Sequence, residues 1–103
     1  WNRFITNNSS NSIVGVYNDK VIAYGSIVIE NKIRGGIAGY IEDIVVDKSV
    51  RGKNIGIKLI KELVKIGSNN NCYRITLTCK QNLINFYQKN NFKVDNIAMK
   101  LHL

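Results

Sequence analysis

The feature that most restricts the fold is a change of period near residue 55. Upstream, apolar residues recur in short runs that suit strands, over residues 13–17, 21–30 and 37–46. From residue 55 to 66 they recur at helical spacing. Gly56, Leu59, Ile60, Leu63 and Val64 fall on one face, and Lys58, Lys61, Glu62 and Lys65 on the other. Gly67 stands where it can stop that helix. A fourth strand is predicted over 74–79, then a short helix over 82–89 with Leu83, Phe86 and Tyr87 inward. Two short strands over 92–94 and 98–103 close the chain. Residues 18–20 read as a hairpin turn, and 31–36 as a connector carrying Lys32 and Arg34. The polar first dozen residues read as a loop. The order β-β-β-α-β-α-β-β predicts an α/β (α+β) domain, a mixed central sheet flanked by helices.

With 103 residues the chain has room for one domain, one modest core and one site. No apolar run approaches the ~20 residues of a membrane span. Cys72, Cys79 and a single histidine, His102, are too few for a four-ligand zinc cage, and no metal is expected. A strand between the cysteines would hold them about 23 Å apart, so they are expected reduced, in a cytoplasmic protein. The net charge of +8 suits nucleic acid, an anionic membrane or a phosphorylated small molecule. It also suits a chain rich in Asn, Ile and Lys that simply carries many surface lysines. A start at Trp1 rather than methionine leads us to expect a piece of a longer protein.

Three places could carry chemistry. Arg51-Gly52-Lys53-Asn54-Ile55-Gly56 lies between a strand and a helix, where free backbone N–H groups and the helix dipole favour phosphate. Two glycines permit close backbone approach, and asparagine tolerates positive φ. An ordinary glycine turn would look the same. Glu42-Asp43 interrupts an apolar strand. Because neighbouring strand residues face opposite sides, one carboxylate should meet a covered face, unless the strand is an edge with solvated acids. Phe86-Tyr87 on the short helix is the third, and taken alone Tyr87 there reads as a packed aromatic with its hydroxyl satisfied.

These stretches together resemble the acetyl-CoA-dependent GNAT N-acetyltransferases. More narrowly, residues 41–46 (IEDIVV), 51–53 (RGK), 72–77 (CYRITL) and 85–92 (NFYQKNNF) are similar, in order and spacing, to the glucosamine 6-phosphate N-acetyltransferase family. The resemblance covers roughly residues 21 to 103, and that family's first strand and leading helices have no counterpart. It implies that Glu42 and Asp43 hold an amino sugar, with Lys32, Tyr73, Arg74 and His102 as further sugar contacts. It implies that the backbone of Ile44, Val45 and Val46 lines the acetyl-pantetheine arm where two parallel strands splay. Arg51, Gly52, Lys53, Asn54, Ile55, Gly56 and Ile57 would take the pyrophosphate, with Lys89 and Tyr87 completing the CoA side. Tyr87 would stand beside the departing sulfur as the catalytic group.

The chain departs from that pattern at Thr78, where an acid is usual, at Asn91 in place of glycine, and at His102 in place of arginine. The resemblance thus implies a homodimeric enzyme acetylating glucosamine 6-phosphate by direct attack in a ternary complex. Another amine acceptor, or a basic nucleic-acid-binding module, are the alternatives.

Overall fold

A computed structural model describes residues 2–50 and 54–103. The chain runs β1 (Asn2–Asn7), β2 (Ser12–Tyr17), β3 (Lys20–Lys32), β4 (Gly36–Val46), α1 (Ile55–Asn69), β5 (Cys72–Leu77) and α2 (Ile84–Gln88). Single 3-10 turns precede α1 (Lys48–Val50) and α2 (Gln81–Leu83). The five strands form one sheet in the order β1-β2-β3-β4-β5. The first four are antiparallel neighbours, and β5 returns parallel to β4 after α1. The expected mixed sheet with helices is therefore present.

The β2–β3 hairpin closes through Asn18 and Asp19, both at positive φ, as a tight two-residue connection requires. The helix buries the expected stripe: Ile55, Leu59, Ile60 and Leu63 pack with Ile13, Ala23, Ile27 and Ile41 of the sheet. All of this core lies on one face, because strand residues alternate and only one set meets α1. On the opposite face Ile5, Tyr24, Val28, Tyr40 and Val45 remain exposed.

Several expectations are corrected. Residues 2–7, read as loop, form an edge strand: Phe4 is half-buried while Arg3, Ile5, Thr6 and Asn7 face solvent, which explains the polar composition. Lys32 ends β3 and does not belong to the connector. Gly67 does not stop α1, which continues to Asn69. A Cβ at Gly67 would come within 2.7 Å of Ile75 Cδ1 and 3.1 Å of Ile27 Cδ1, so glycine there lets the helix lie close on the sheet. The left-handed position falls instead at Asn71. Leu83, expected inward, is exposed, since the turn carrying it precedes α2.

The two closing strands are absent: residues 93–103 are exposed and unpaired in this chain. Strand propensity is realised only against a neighbour, and among the described residues the segment meets none.

Candidate active site

The site is built where β4 and β5 part company. Their parallel ladder runs from Ile37↔Cys72 to Ile41↔Leu77 and ends there. β4 continues to Val46 in register with β3, so the backbone of Glu42, Asp43, Ile44, Val45 and Val46 has no strand partner on the β5 side. A wedge opens between the two strands, edged by main-chain groups able to pair with an extended ligand.

A bulge shapes one edge of this wedge. Across β3 and β4, Tyr24 faces Val45 and Ser26 faces Glu42, so Asp43 and Ile44 together oppose the single residue Gly25. Asp43 takes positive φ (58°) as the extra residue, and the Ser26 hydroxyl donates to the Glu42 carbonyl at 3.2 Å. The bulge changes the parity of the strand. Ile41 and then Ile44 and Val46 turn toward α1, while Tyr40, Glu42 and Val45 stay on the open face. The expectation that one of the two carboxylates meets a covered face is thereby overturned: Glu42 and Asp43 are both exposed. The alternation rule fails at the inserted residue.

On the open face the strands gather a small cationic cavity of about 170 Å³. Lys32, Arg74, Tyr40 and Thr76 line it, with Val28 and Glu30. Lys32 is ion-paired with Glu30, whose carboxyl is held below its ordinary value by the Lys32 hydrogen bond and charge. The Arg74 guanidinium lies 5.3 Å from the centre of the Tyr73 ring. Tyr73 occupies an irregularity of its own, since Cys72 faces Ile37 and Arg74 faces the next residue, Ala38. A Cβ at Gly35 would sit 3.1 Å from the Tyr73 hydroxyl, so glycine lets the β3–β4 turn approach that ring.

At the other side of the wedge is the start of α1. Asn54 adopts the expected left-handed conformation (φ 60°) and its carbonyl accepts the first helical bond, from Lys58 N–H at 3.1 Å. Asn54 makes no side-chain cap bond and the first turn holds no acid, so among the described residues the N–H groups of Ile55, Gly56 and Ile57 have no side-chain acceptor. A Cβ at Gly56 would make only ordinary contact with Phe86 at 3.5 Å, so packing does not demand glycine there. Arg51, Gly52 and Lys53 lie outside the described residues. Lys89 follows α2 and borders a surface groove with Ile57, Lys61 and Val64.

Tyr87 comes from α2 and is 9% exposed, the one buried residue of that helix. Its ring makes edge contacts with Phe86 (5.0 Å) and Phe92 (5.8 Å). Among the described residues the hydroxyl has no hydrogen-bond partner, an unusual state for a buried donor. Burial, and secondarily the neighbouring Cys79 thiol, push the phenol above its ordinary value. Cys79 lies two residues beyond β5, which places Tyr87 beside the diverging end of that strand. Both cysteines are free, and burial pushes the Cys72 thiol above its ordinary value.

Of the other expected sugar contacts, His102 sits on the exposed closing segment, away from any described partner. One polar pair was not anticipated. The Tyr40 hydroxyl and Thr78 Oγ1 lie 2.7 Å apart, bridging the two strands where their ladder ends. The sequence carries no local signal for it, because Thr78 lies just beyond β5 and only the register of β4 with β5 brings it beside Tyr40.

Comparison with known proteins agrees with this architecture. The model of the acetyltransferase (GNAT) family matches residues 1–92. Glucosamine 6-phosphate N-acetyltransferase 1 of Dictyostelium discoideum is 44% identical over 92 residues, covering 87% of this chain and 59% of that protein. The Candida albicans glucosamine 6-phosphate N-acetyltransferase is 37% identical over 81 residues, 77% of this chain and 54% of its own. Among solved structures, glucosamine-6-phosphate N-acetyltransferase from Arabidopsis thaliana superposes with a TM-score of 0.86 at 32% identity, covering 92% of this chain and 69% of that one. The chain thus spans somewhat over half the length of these curated relatives. Strand splay, bulge, uncapped helix start and family match lead to one conclusion: the chain belongs to the GNAT acetyltransferase family.

Proposed function

We propose that this chain, as one domain, transfers the acetyl group of acetyl-CoA to the amine of glucosamine 6-phosphate. The observation that carries the reading is the juxtaposition, on one sheet, of an open β4–β5 wedge and a cavity holding Lys32 and Arg74. The relatives named glucosamine 6-phosphate N-acetyltransferase support this acceptor and the transfer of an acetyl group to nitrogen.

Acetyl-CoA supplies the activated thioester. The chain holds it by the free β4 edge at Ile44, Val45 and Val46 and by the N–H groups of Ile55, Gly56 and Ile57, where the helix dipole favours the pyrophosphate. The sequence motif Arg51-Gly52-Lys53, outside the described residues, is assigned to the same pyrophosphate on its composition, and Lys89 adds a further positive charge. Lys32 and Arg74 receive the sugar phosphate, with Tyr73 holding Arg74, while Glu42 and Asp43 bind sugar hydroxyls or the amine. Among the described residues no side chain is arranged as a covalent nucleophile, so the amine attacks the thioester carbonyl directly, the carbon–sulfur bond breaks, CoA leaves as the thiolate and the nitrogen's surplus proton passes to water; catalysis rests on proximity and on backbone donors to that carbonyl. Tyr87 donates its proton's hydrogen bond to the departing sulfur.

A free-thiol assay with acetyl-CoA should show turnover with glucosamine 6-phosphate well above that with a panel of other amines. Arg74→Gln should raise KM for the phosphorylated sugar about tenfold or more, the scale of a charge-assisted hydrogen bond, and leave KM for acetyl-CoA unchanged. Equal rates with and without the phosphate would refute the acceptor assignment.

We also propose a homodimer joined through the closing segment, working in the cytoplasm, whose reducing conditions suit the two free cysteines. Ile97, Met99, Leu101 and Leu103 alternate with Ala98, Lys100 and His102, a strand pattern, yet they are 92%, 95%, 83% and 115% exposed. β5 offers an open edge in each copy, and pairing there would bring His102 to a neighbouring sugar site. Light scattering at micromolar concentration should report a dimer, and deletion of residues 96–103 should yield monomers. An active monomeric parent would rule this assembly out.

A further inference from the structure

The Tyr40–Thr78 pair has a position that its chemistry alone does not explain. Thr76 faces Tyr40 across the parallel ladder, and Thr78 lies two residues further on, so both side chains project from the face away from α1. The ladder ends at Ile41↔Leu77, and the two hydroxyls meet at 2.7 Å beside that end. They tie β4 to the chain leaving β5 at the point where the backbones stop doing so.

The same Tyr40 ring walls the cationic cavity with Lys32, Arg74 and Thr76. Along the open face the order is therefore Lys32 and Arg74, then the Tyr40–Thr78 clasp, then Glu42 at the edge of the wedge. From Arg74 to Thr78 is four strand residues, about 13 Å. In the function proposed above, an acceptor with its anion at Lys32 and Arg74 and its amine at the wedge passes the Tyr40 ring. An unclasped tyrosine could swing about χ1 and open that passage, whereas the hydrogen bond holds it in one rotamer.

We propose that the Tyr40–Thr78 clasp determines acceptor specificity: it holds the Tyr40 ring as a fixed spacer between the phosphate-binding cations and the wedge, so that only a short phosphorylated amine presents its nitrogen correctly. This rests on the function proposed above and adds to it the element that measures acceptor length. Tyr40 and Thr78 act as positioning residues, through the ring they hold.

The test compares Tyr40→Phe, Thr78→Val, Thr78→Ser and the Tyr40→Phe/Thr78→Val double variant. Each is assayed with glucosamine 6-phosphate and with glucosamine. Loss of the bond should reduce the preference for the phosphorylated acceptor about five- to tenfold, the scale of one neutral hydrogen bond, through KM for that acceptor. KM for acetyl-CoA should not move. Thr78→Ser, which keeps the hydroxyl, should restore the preference, and the double variant should be no worse than either single one. Losses that are additive, equal for both acceptors, or extended to acetyl-CoA would overturn the proposal. If the parent acetylates a different amine instead, the hexosamine reading fails. The clasp is then judged by the same ratio for that amine with and without its phosphate. A parent inert toward every amine overturns both.

Discussion

Tyr87→Phe is expected to turn over about a hundredfold more slowly than the parent and to melt at the same temperature. General-acid assistance is typically worth 10²–10⁴-fold, and a hydrogen bond that strengthens as the sulfur gains charge lowers kcat more than it weakens binding. The ring is buried between Phe86 and Phe92, and phenylalanine preserves both edge contacts. The hydroxyl has no partner among the described residues, so its removal leaves no protein acceptor stranded.

The sign of the pH effect follows from burial. The folded-state value is raised, so stability from keeping the phenol neutral is complete below the ordinary tyrosine value of about 10. It is lost as pH rises through the higher folded value. Proton donation by Tyr87 should therefore be constant across the neutral range, and any fall in rate above pH 10 should be absent from Tyr87→Phe. A variant that matches the parent's kcat would make Tyr87 a packing residue only.

Leu63→Ala is expected to cost about 2–5 kcal/mol, enough to lower Tm by about 10 °C or more in a domain this small. Leu63 is fully buried, and its Cδ1 lies beneath the β4 bulge: a Cβ added at Gly25 would meet it at 2.9 Å and Ile44 Cδ1 at 2.8 Å. The same spot is overpacked from the other side by Gly25→Ala, for about 1–3 kcal/mol. Because the two changes share one space, the double variant should be more stable than the sum of the single losses implies. Strictly additive melting shifts would mean that helix and bulge do not press on each other. The bulge edges the wedge, so Leu63→Ala should also weaken acetyl-CoA binding before it unfolds the domain.

Much of this was legible from local pattern. The helical stripe from Ile55 to Leu63, the Asn18–Asp19 turn and the left-handed Asn54 each follow from residue spacing or from one residue's conformational tolerance. The resemblance of residues 41–46, 51–53, 72–77 and 85–92 to one family is likewise a property of the chain read in order, and the family match agrees with it. What depended on partners was not legible. The polar stretch 2–7 becomes a strand only because β2 pairs with it, and the alternating segment 97–103 does not become one because nothing here pairs with it. Gly67 reads as a helix stop until Ile75 and Ile27 are seen to fill the space its side chain would need. The wedge itself, the exposure of both Glu42 and Asp43, and the Tyr40–Thr78 clasp all follow from one inserted residue at Asp43 and from where the β4–β5 ladder ends. Periodicity reports which way a residue faces along its own strand. Only registration between strands decides where that alternation breaks and which side chains then meet.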